Sequence, residues 1–348
     1  MRFDPEQEEL RRTVRTLLER AAGGDVWRLL AEQVGALGLA IPEEYGGAGF
    51  SVLETHVVLE ELGAALAAPG FLSTTLAAQA ILAGDSADAK AELLPGFAEG
   101  GTRAALVWGE GVEAAADGTG WRLTGVEEHV LDGGDSDLYV VPARVRDAGG
   151  RNRDFESATG LFVVAAADVV VDEVETVDPG RPQARVGFER SPATLLSSRA
   201  PVDRILDLAC AALSAEQVGA AQRAFDLTLA YAKQRVQFGR PIGSFQAVKH
   251  RLADMYALLE SARSASYAAA FAAASGHELT IAASRAKAYC SEAFSTIAGE
   301  AIQIHGGIGI TWEHPIHLYF KRAHVTAQLF GSPAWHRRRY ARAVGLAA

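Results

Sequence analysis

From Asp203 onward the chain reads as four long, alanine-rich helices with very short joints, and that pattern leaves it few possible folds. Apolar positions recur at helical spacing through 204–234, 244–275, 278–304 and 314–342. The joints are Arg235-Val-Gln-Phe-Gly-Arg-Pro-Ile-Gly-Ser-Phe-Gln246, Ser275-Gly-His and Gln303-Ile-His-Gly-Gly-Ile-Gly309. Helices of that length, joined so briefly, bury their stripes by running antiparallel as a bundle. A glycine inside a helix costs about 1 kcal/mol, so the glycines of the first and third joints mark places where backbone comes close to something else.

The preceding half divides in two. Residues 5–100 read as helices: Glu6 to Ala22 carries Leu10, Val14, Leu17 and Leu18 at three- and four-residue spacing, and Trp27 to Leu37 repeats the pattern before Gly38. Ile41-Pro-Glu-Glu-Tyr-Gly-Gly-Ala-Gly49 is a glycine-rich loop. Ser51 followed by Glu54 reads as the capping box of an apolar helix running through Leu82. Near residue 103 the character changes. Ala104 to Trp108, Trp121-Arg-Leu-Thr, Leu138-Tyr-Val-Val-Pro, Gly160-Leu-Phe-Val-Val-Ala and Ala184-Arg-Val-Gly-Phe are short β-prone runs parted by glycine, aspartate or proline. They predict a small antiparallel β domain ending near Ser198, and without intervening helices it is no Rossmann sheet. The expected domains are 1–102, helical; 103–198, β; and 199–348, a four-helix bundle.

With 348 residues, 49% hydrophobic and 22% charged, the chain can bury a sizeable core. Its net charge of −10 argues against a nucleic-acid partner. The dense basic run His336-Arg-Arg-Arg339 reads as a solvated helix face. Two cysteines, Cys210 and Cys290, are too few for a disulfide framework. An acidic N-terminus without a signal-peptide core, and no apolar run of about 18 residues, lead us to expect a cytoplasmic chain that does not enter a membrane. His305, His314 and His317 lie close in sequence but fit no zinc spacing, so no metal is expected.

The two glycine segments, with Ile41-Pro-Glu-Glu-Tyr-Gly-Gly, Thr176-Val-Asp-Pro-Gly-Arg-Pro and Trp312-Glu-His-Pro in that chain order, resemble the acyl-CoA dehydrogenase family. The resemblance implies a mainly α fold with a middle β-barrel and a C-terminal four-helix bundle. It also implies FAD, an acyl-CoA thioester substrate and α,β-dehydrogenation, with electron-transfer flavoprotein as a possible electron acceptor. In that family the bundle of one subunit holds the adenosine–pyrophosphate end of the FAD that reacts in its neighbour. The matching positions here are Arg235, Phe238, Gln246, Gln303, Gly306 and Gly307. Their chemistry suits the task, since arginine is a permanent multi-donor cation and glycine exposes backbone N–H to phosphate. Taken singly, Arg235 is also what a helix C-terminus favours.

The rest of a dehydrogenase site is eroded. The family's Thr-Glu-Pro-Gly segment, which touches the flavin ring, is Gly109-Glu-Gly-Val112 here, with Ala115 and Ala116 in place of the polar pair that follows. Its Trp-Ile-Thr-Asn-Gly strand is His129-Val-Leu-Asp-Gly133. The two positions where the family places its catalytic glutamate are Ala209 and Phe330, both apolar. No residue is therefore assigned as catalytic. Glu216 is the fallback, about two turns or roughly 10 Å along the helix from Ala209. The pattern resembles the smaller, base-lacking subunit of actinobacterial heteromeric acyl-CoA dehydrogenases, paired with a paralogous subunit in a dimer or tetramer. Three alternatives stand beside it. One is a self-sufficient homomeric dehydrogenase, of CoA or carrier-protein thioesters, with a displaced base. Another is a flavin monooxygenase on the same fold, and the third a non-enzymatic paralogue.

Overall fold

The computed structural model describes residues 3–21, 24–67, 70–118, 120–146 and 159–346. By packing, the chain falls into two compact units, one of residues 1–22, 52–67 and 209–348, the other of 23–51 and 68–208.

The first unit is helical. Helix α1 (Pro5–Arg20) starts at Asp4, whose carboxylate accepts from Gln7 N at 2.8 Å while the Gln7 side chain accepts from Asp4 N at 3.0 Å. This is a reciprocal cap with proline in the first turn. The inward stripe differs from the expected one: Gln7 and Arg11 are buried with Val14 and Leu17, whereas Leu10 and Leu18 are half-buried. Arg11 goes inward because the next helix of this unit, lying after α2 (Val26–Leu29) in the chain, buries two adjacent acids. That helix is α3 (Val52–Ala65). Glu60 accepts from Arg11 at 3.0 Å, Arg263 at 2.6 Å and the Tyr267 hydroxyl at 3.1 Å; Glu61 accepts from Arg15 at 2.8 and 2.9 Å. These groups, with Arg223 and Asp226, line a polar cleft of about 820 Å³ whose charges largely answer one another.

After α4 (Phe71–Ala83) and α5 (Ala87–Ala98), which belong to the second unit, the bundle is made by α6 (Val202–Gln234), α7 (Gln246–Ser275), α8 (Leu279–His305), α9 (Ile316–Gln328) and α10 (Pro333–Ala343). Phe225, Leu259, Phe294, Ile297, Ile316 and Tyr319 form its core. The helix expected over 314–342 is two. Phe330 (φ 58°) and Gly331 (φ 102°) turn the chain, and Ser332 caps α10 with Pro333 in its first turn. The single apolar helix expected after Ser51 is likewise α3 and α4, parted by Leu66 (φ 51°) and Gly70 (φ 90°). α3 and α6 meet backbone to backbone, for a Cβ on Gly63 would land on the Glu216 carbonyl and one on Gly219 on the Glu60 carbonyl.

In the second unit the expected 27–37 helix shortens to α2, continued by a wide turn over Leu30–Val34 that Gly35 (φ 64°) ends. The β part contains β1 (Ala104–Leu106), β2 (Val112–Asp117), β3 (Gly120–Leu131), β4 (Leu138–Val145), β5 (Thr159–Ala165), β6 (Val170–Val174) and β7 (Gln183–Ser197). Pairing runs β4-β2-β3-β7-β5 and returns to β4, which closes a barrel around Leu123, Tyr139, Val141, Phe162, Val186 and Phe188. The barrel is not wholly antiparallel as expected, because β4 pairs parallel with both β1 and β2. In the first unit, β8 (Val236–Gln237) and β9 (Arg240–Pro241) make a two-residue hairpin between α6 and α7.

The α3–α6 crossing gives a direct test. Gly219→Ala should lower unfolding free energy by about 3 kcal/mol, the upper part of the overpacking range, because the facing atom is a backbone oxygen that cannot rotate away. Gly299→Ala, in α8 with open space at its Cβ position, should raise it by about 0.5–1 kcal/mol. Urea denaturation of the two variants measures both.

Candidate functional site

The two glycine segments meet at one end of the bundle through Tyr231. One turn before α6 ends, its hydroxyl donates to the His305 carbonyl at 3.3 Å and its ring stacks on the His305 imidazole with centroids 4.4 Å apart. Arg235 N donates to Tyr231 O at 2.8 Å, and Ile242 N to Arg235 O at 2.8 Å, closing the hairpin onto the helix end. Arg235, Gln246 and Gln303 are exposed.

Phe238 and Gly239 form the hairpin turn at φ 52° and 78°, both left-handed. Such turns match the strand twist but favour Asn-Gly, and a bulky residue in the first place is strained. The Phe238 side chain is also 93% exposed. Val236, Ile310 and Trp312 stand out as well, at 52%, 75% and 76%. Gly306 turns the chain out of α8 at φ 64°, and a Cβ on Gly306 or Gly307 would meet nothing within 4 Å. Open glycine backbone, an exposed aromatic ring and an exposed guanidinium fit the adenosine–pyrophosphate end of FAD: ring against base, cation and N–H groups toward phosphate.

Beneath this surface lie His305 and His314, which the sequence offered only as metal-ligand candidates. His305 Nδ1–H donates to Ala301 O at 2.7 Å, while buried Nε2 has no partner. Burial holds its pKa below the ordinary value, opposed by the bond to Ala301 O and reinforced by His314, whose ring centroid is 4.4 Å away. Among the described residues, no group of three or more His, Cys, Asp or Glu could hold a metal, and no helix is long and apolar enough to cross a membrane.

The two apolar positions where a base was sought are linked through His336. Ala209 is fully buried on α6, and Phe330 is buried in the corner between α9 and α10. His336 Nε2–H donates to the Phe330 carbonyl at 2.8 Å and lies 3.6 Å from the sulfur of Cys210, the neighbour of Ala209. The fully buried Lys287 sends its ammonium to Ala327 O at 2.9 Å, Ser291 Oγ at 3.1 Å and Thr326 O at 3.2 Å, closing the last turn of α9. Glu216 is buried as well, and its backbone is the contact for Gly63 on α3.

The first and last thirds of the chain match the acyl-CoA dehydrogenase N-terminal domain over residues 4–101 and the C-terminal domain over 202–345. The acyl-CoA dehydrogenase IpdE2 of Mycobacterium tuberculosis is 40% identical over 343 residues, covering 94% of both chains. Among solved structures, a variant of the Tcur3481–Tcur3483 steroid ACAD superposes with TM-score 0.87 at 31% identity over 98% of both chains. The ChsE4–ChsE5 complex from Mycobacterium tuberculosis contains a chain with TM-score 0.89 at 29% identity, covering 100% of this chain and 99% of that one. Barrel between helical parts, closing bundle and sequence agree: the chain belongs to the acyl-CoA dehydrogenase family, FAD-dependent oxidoreductases acting on CH–CH bonds.

Burial pushes Lys287 down to about 8 from 10.5, partly opposed by Cys210 and Cys290. Between those pH values the unfolded chain binds a proton that the folded chain does not, so this group makes stability rise from about pH 8 to 10.5. Lys287→Met should remove that rise, read as the difference between parent and variant unfolding free energies across the window.

Proposed function

We propose that the chain is the base-lacking subunit of a heteromeric acyl-CoA dehydrogenase, lending the end of its bundle to FAD whose ring reacts in a paralogous partner. Phe238 carries the reading. A nearly fully exposed aromatic at the tip of a tight turn presents apolar surface that another molecule would cover. Arg235, at the base of the hairpin, and Gln303, in the last turn of α8, serve as polar contacts for pyrophosphate and ribose, Gln246 opens α7, and Gly306 and Gly307 let backbone approach phosphate.

FAD, when bound, supplies the hydride acceptor; the α-proton must go to a carboxylate. Ala209 and Phe330 provide none, and the side chains bonded beside them, His336 and Cys210, are not carboxylates. The base therefore comes from the partner. The similarity to a steroid ACAD and to a two-component complex supports a heteromer and a bulky acyl thioester.

Purified alone, the chain should carry little flavin, and the co-expressed pair should carry FAD. In that pair Arg235→Ala should weaken FAD by about 1.5–3 kcal/mol, the worth of a charged hydrogen bond, measured by flavin release on dilution. Unchanged retention would make Arg235 a helix-end residue only.

Glu216→Gln distinguishes this reading from a self-sufficient enzyme. A general base contributes about 10²–10⁴-fold to rate. In the assembled complex the variant should keep turnover within a few-fold of the parent, because Glu216 serves the α3–α6 contact. Collapse of turnover with flavin and assembly intact would make it the base.

A further inference from the structure

Between β1 and β2 the chain runs Trp108-Gly-Glu-Gly-Val112, and glycines let this loop lie flat against β3. A Cβ on Gly111 would fall on the Val126 carbonyl, and one on Gly125, at φ 140°, on the carbonyl of Gly111. Gly109 differs, for the place its side chain would take is filled from β3. An ideal Cβ there would sit inside the Glu127 carboxyl group, closer to all three of its atoms than any real contact allows. That carboxylate is fixed in place by the Gly111 N–H, which donates to Oε1 at 2.6 Å. The pairing of β3 with β7 slips between Glu127 and Val130, so the strand is bulged where Glu127 leaves it.

We propose that Glu127 denies this chain's own β barrel a flavin ring, its carboxylate taking the volume of a side chain at position 109 and offering only acceptor oxygens there. A polar side chain at position 109 could donate a hydrogen bond; a carboxylate cannot. Reduction of a flavin places negative charge on its pyrimidine edge, which is stabilised by donors and opposed by a fixed anion. Neither the shape nor the charge of the Gly109–Gly111 loop fits that edge. This rests on the reading of the chain as a lending subunit, and it names the residue that settles which barrel takes the ring.

The full-length chain carries the test, with FAD as the probe. Gly109→Thr alone should lower the melting temperature by several degrees, because its side chain meets the Glu127 carboxylate. In a Glu127→Ala background the same change should cost little, and this coupling reads the occupied volume directly. The double variant Gly109→Thr/Glu127→Ala should bind FAD at least about tenfold more tightly than the parent, with quenched flavin fluorescence. Additive melting shifts would overturn the proposal. So would coupled shifts with unchanged FAD affinity, and both of those results leave the heteromer reading standing. A parent chain that by itself holds one fluorescence-quenched FAD would overturn the two together.

Discussion

α3 and α6 cross with no side chain between their backbones: Gly63 lies against Glu216, and Gly219 against Glu60. At that separation the next positions of α3 cannot point to water, and both Glu60 and Glu61 are carried inside. Two neighbouring buried carboxylates are tolerable only when each is bonded to cations, since desolvation of an unpaired one costs several kcal/mol. Arg11 and Arg15 from α1 and Arg263 from α7 answer them, so a helix crossing dictates which helices gather around it. The network also explains why the first helix turns a charged residue inward. Tyr319 completes the arrangement by donating its hydroxyl to Ala64 O at 2.8 Å, which ties α9 to the end of α3.

Long periodic segments were readable in the chain and local exceptions were not. α6, α7 and α8 begin and end within two residues of the positions that spacing predicts, because apolar repetition over some thirty residues leaves little choice of face. The break between α9 and α10 was signalled by Gly331-Ser332-Pro333, a left-handed stop, a cap and a first-turn proline, yet the apolar rhythm runs across it. β2 could not be found from propensity. Val-Glu-Ala-Ala-Ala-Asp is a helix-forming composition, made a strand by six paired positions on β3. The parallel pairings of β4 were hidden for another reason, as alternation along a strand says nothing about its neighbour's direction.

The site was readable to a similar degree. Residue chemistry alone made Arg235 a helix end, and only the ordered resemblance placed it and Phe238 toward FAD. In the structure Phe238 is 93% exposed in a left-handed turn, so it is no part of the core. Tyr231, whose stacking on His305 unites the segments, carried no signal, because an aromatic near a helix end is ordinary. Lys287 was invisible as well. Nothing in Arg-Ala-Lys-Ala-Tyr says that the amine will be sealed against the carbonyls of another helix.

Two regions of the bundle thus show opposite choices. Around Ala209 and Phe330, His336 and Lys287 turn inward onto protein partners, one ring nitrogen of His336 excepted. A subunit performing its own proton abstraction needs the reverse there, a carboxylate facing a cavity and held for substrate. At the hairpin end the chain instead exposes apolar surface and opens its glycines to space, leaving costs that its own fold does not recover. The distribution of satisfied and unsatisfied surface, more than any single residue, is what supports the proposal that this chain works from the bundle end.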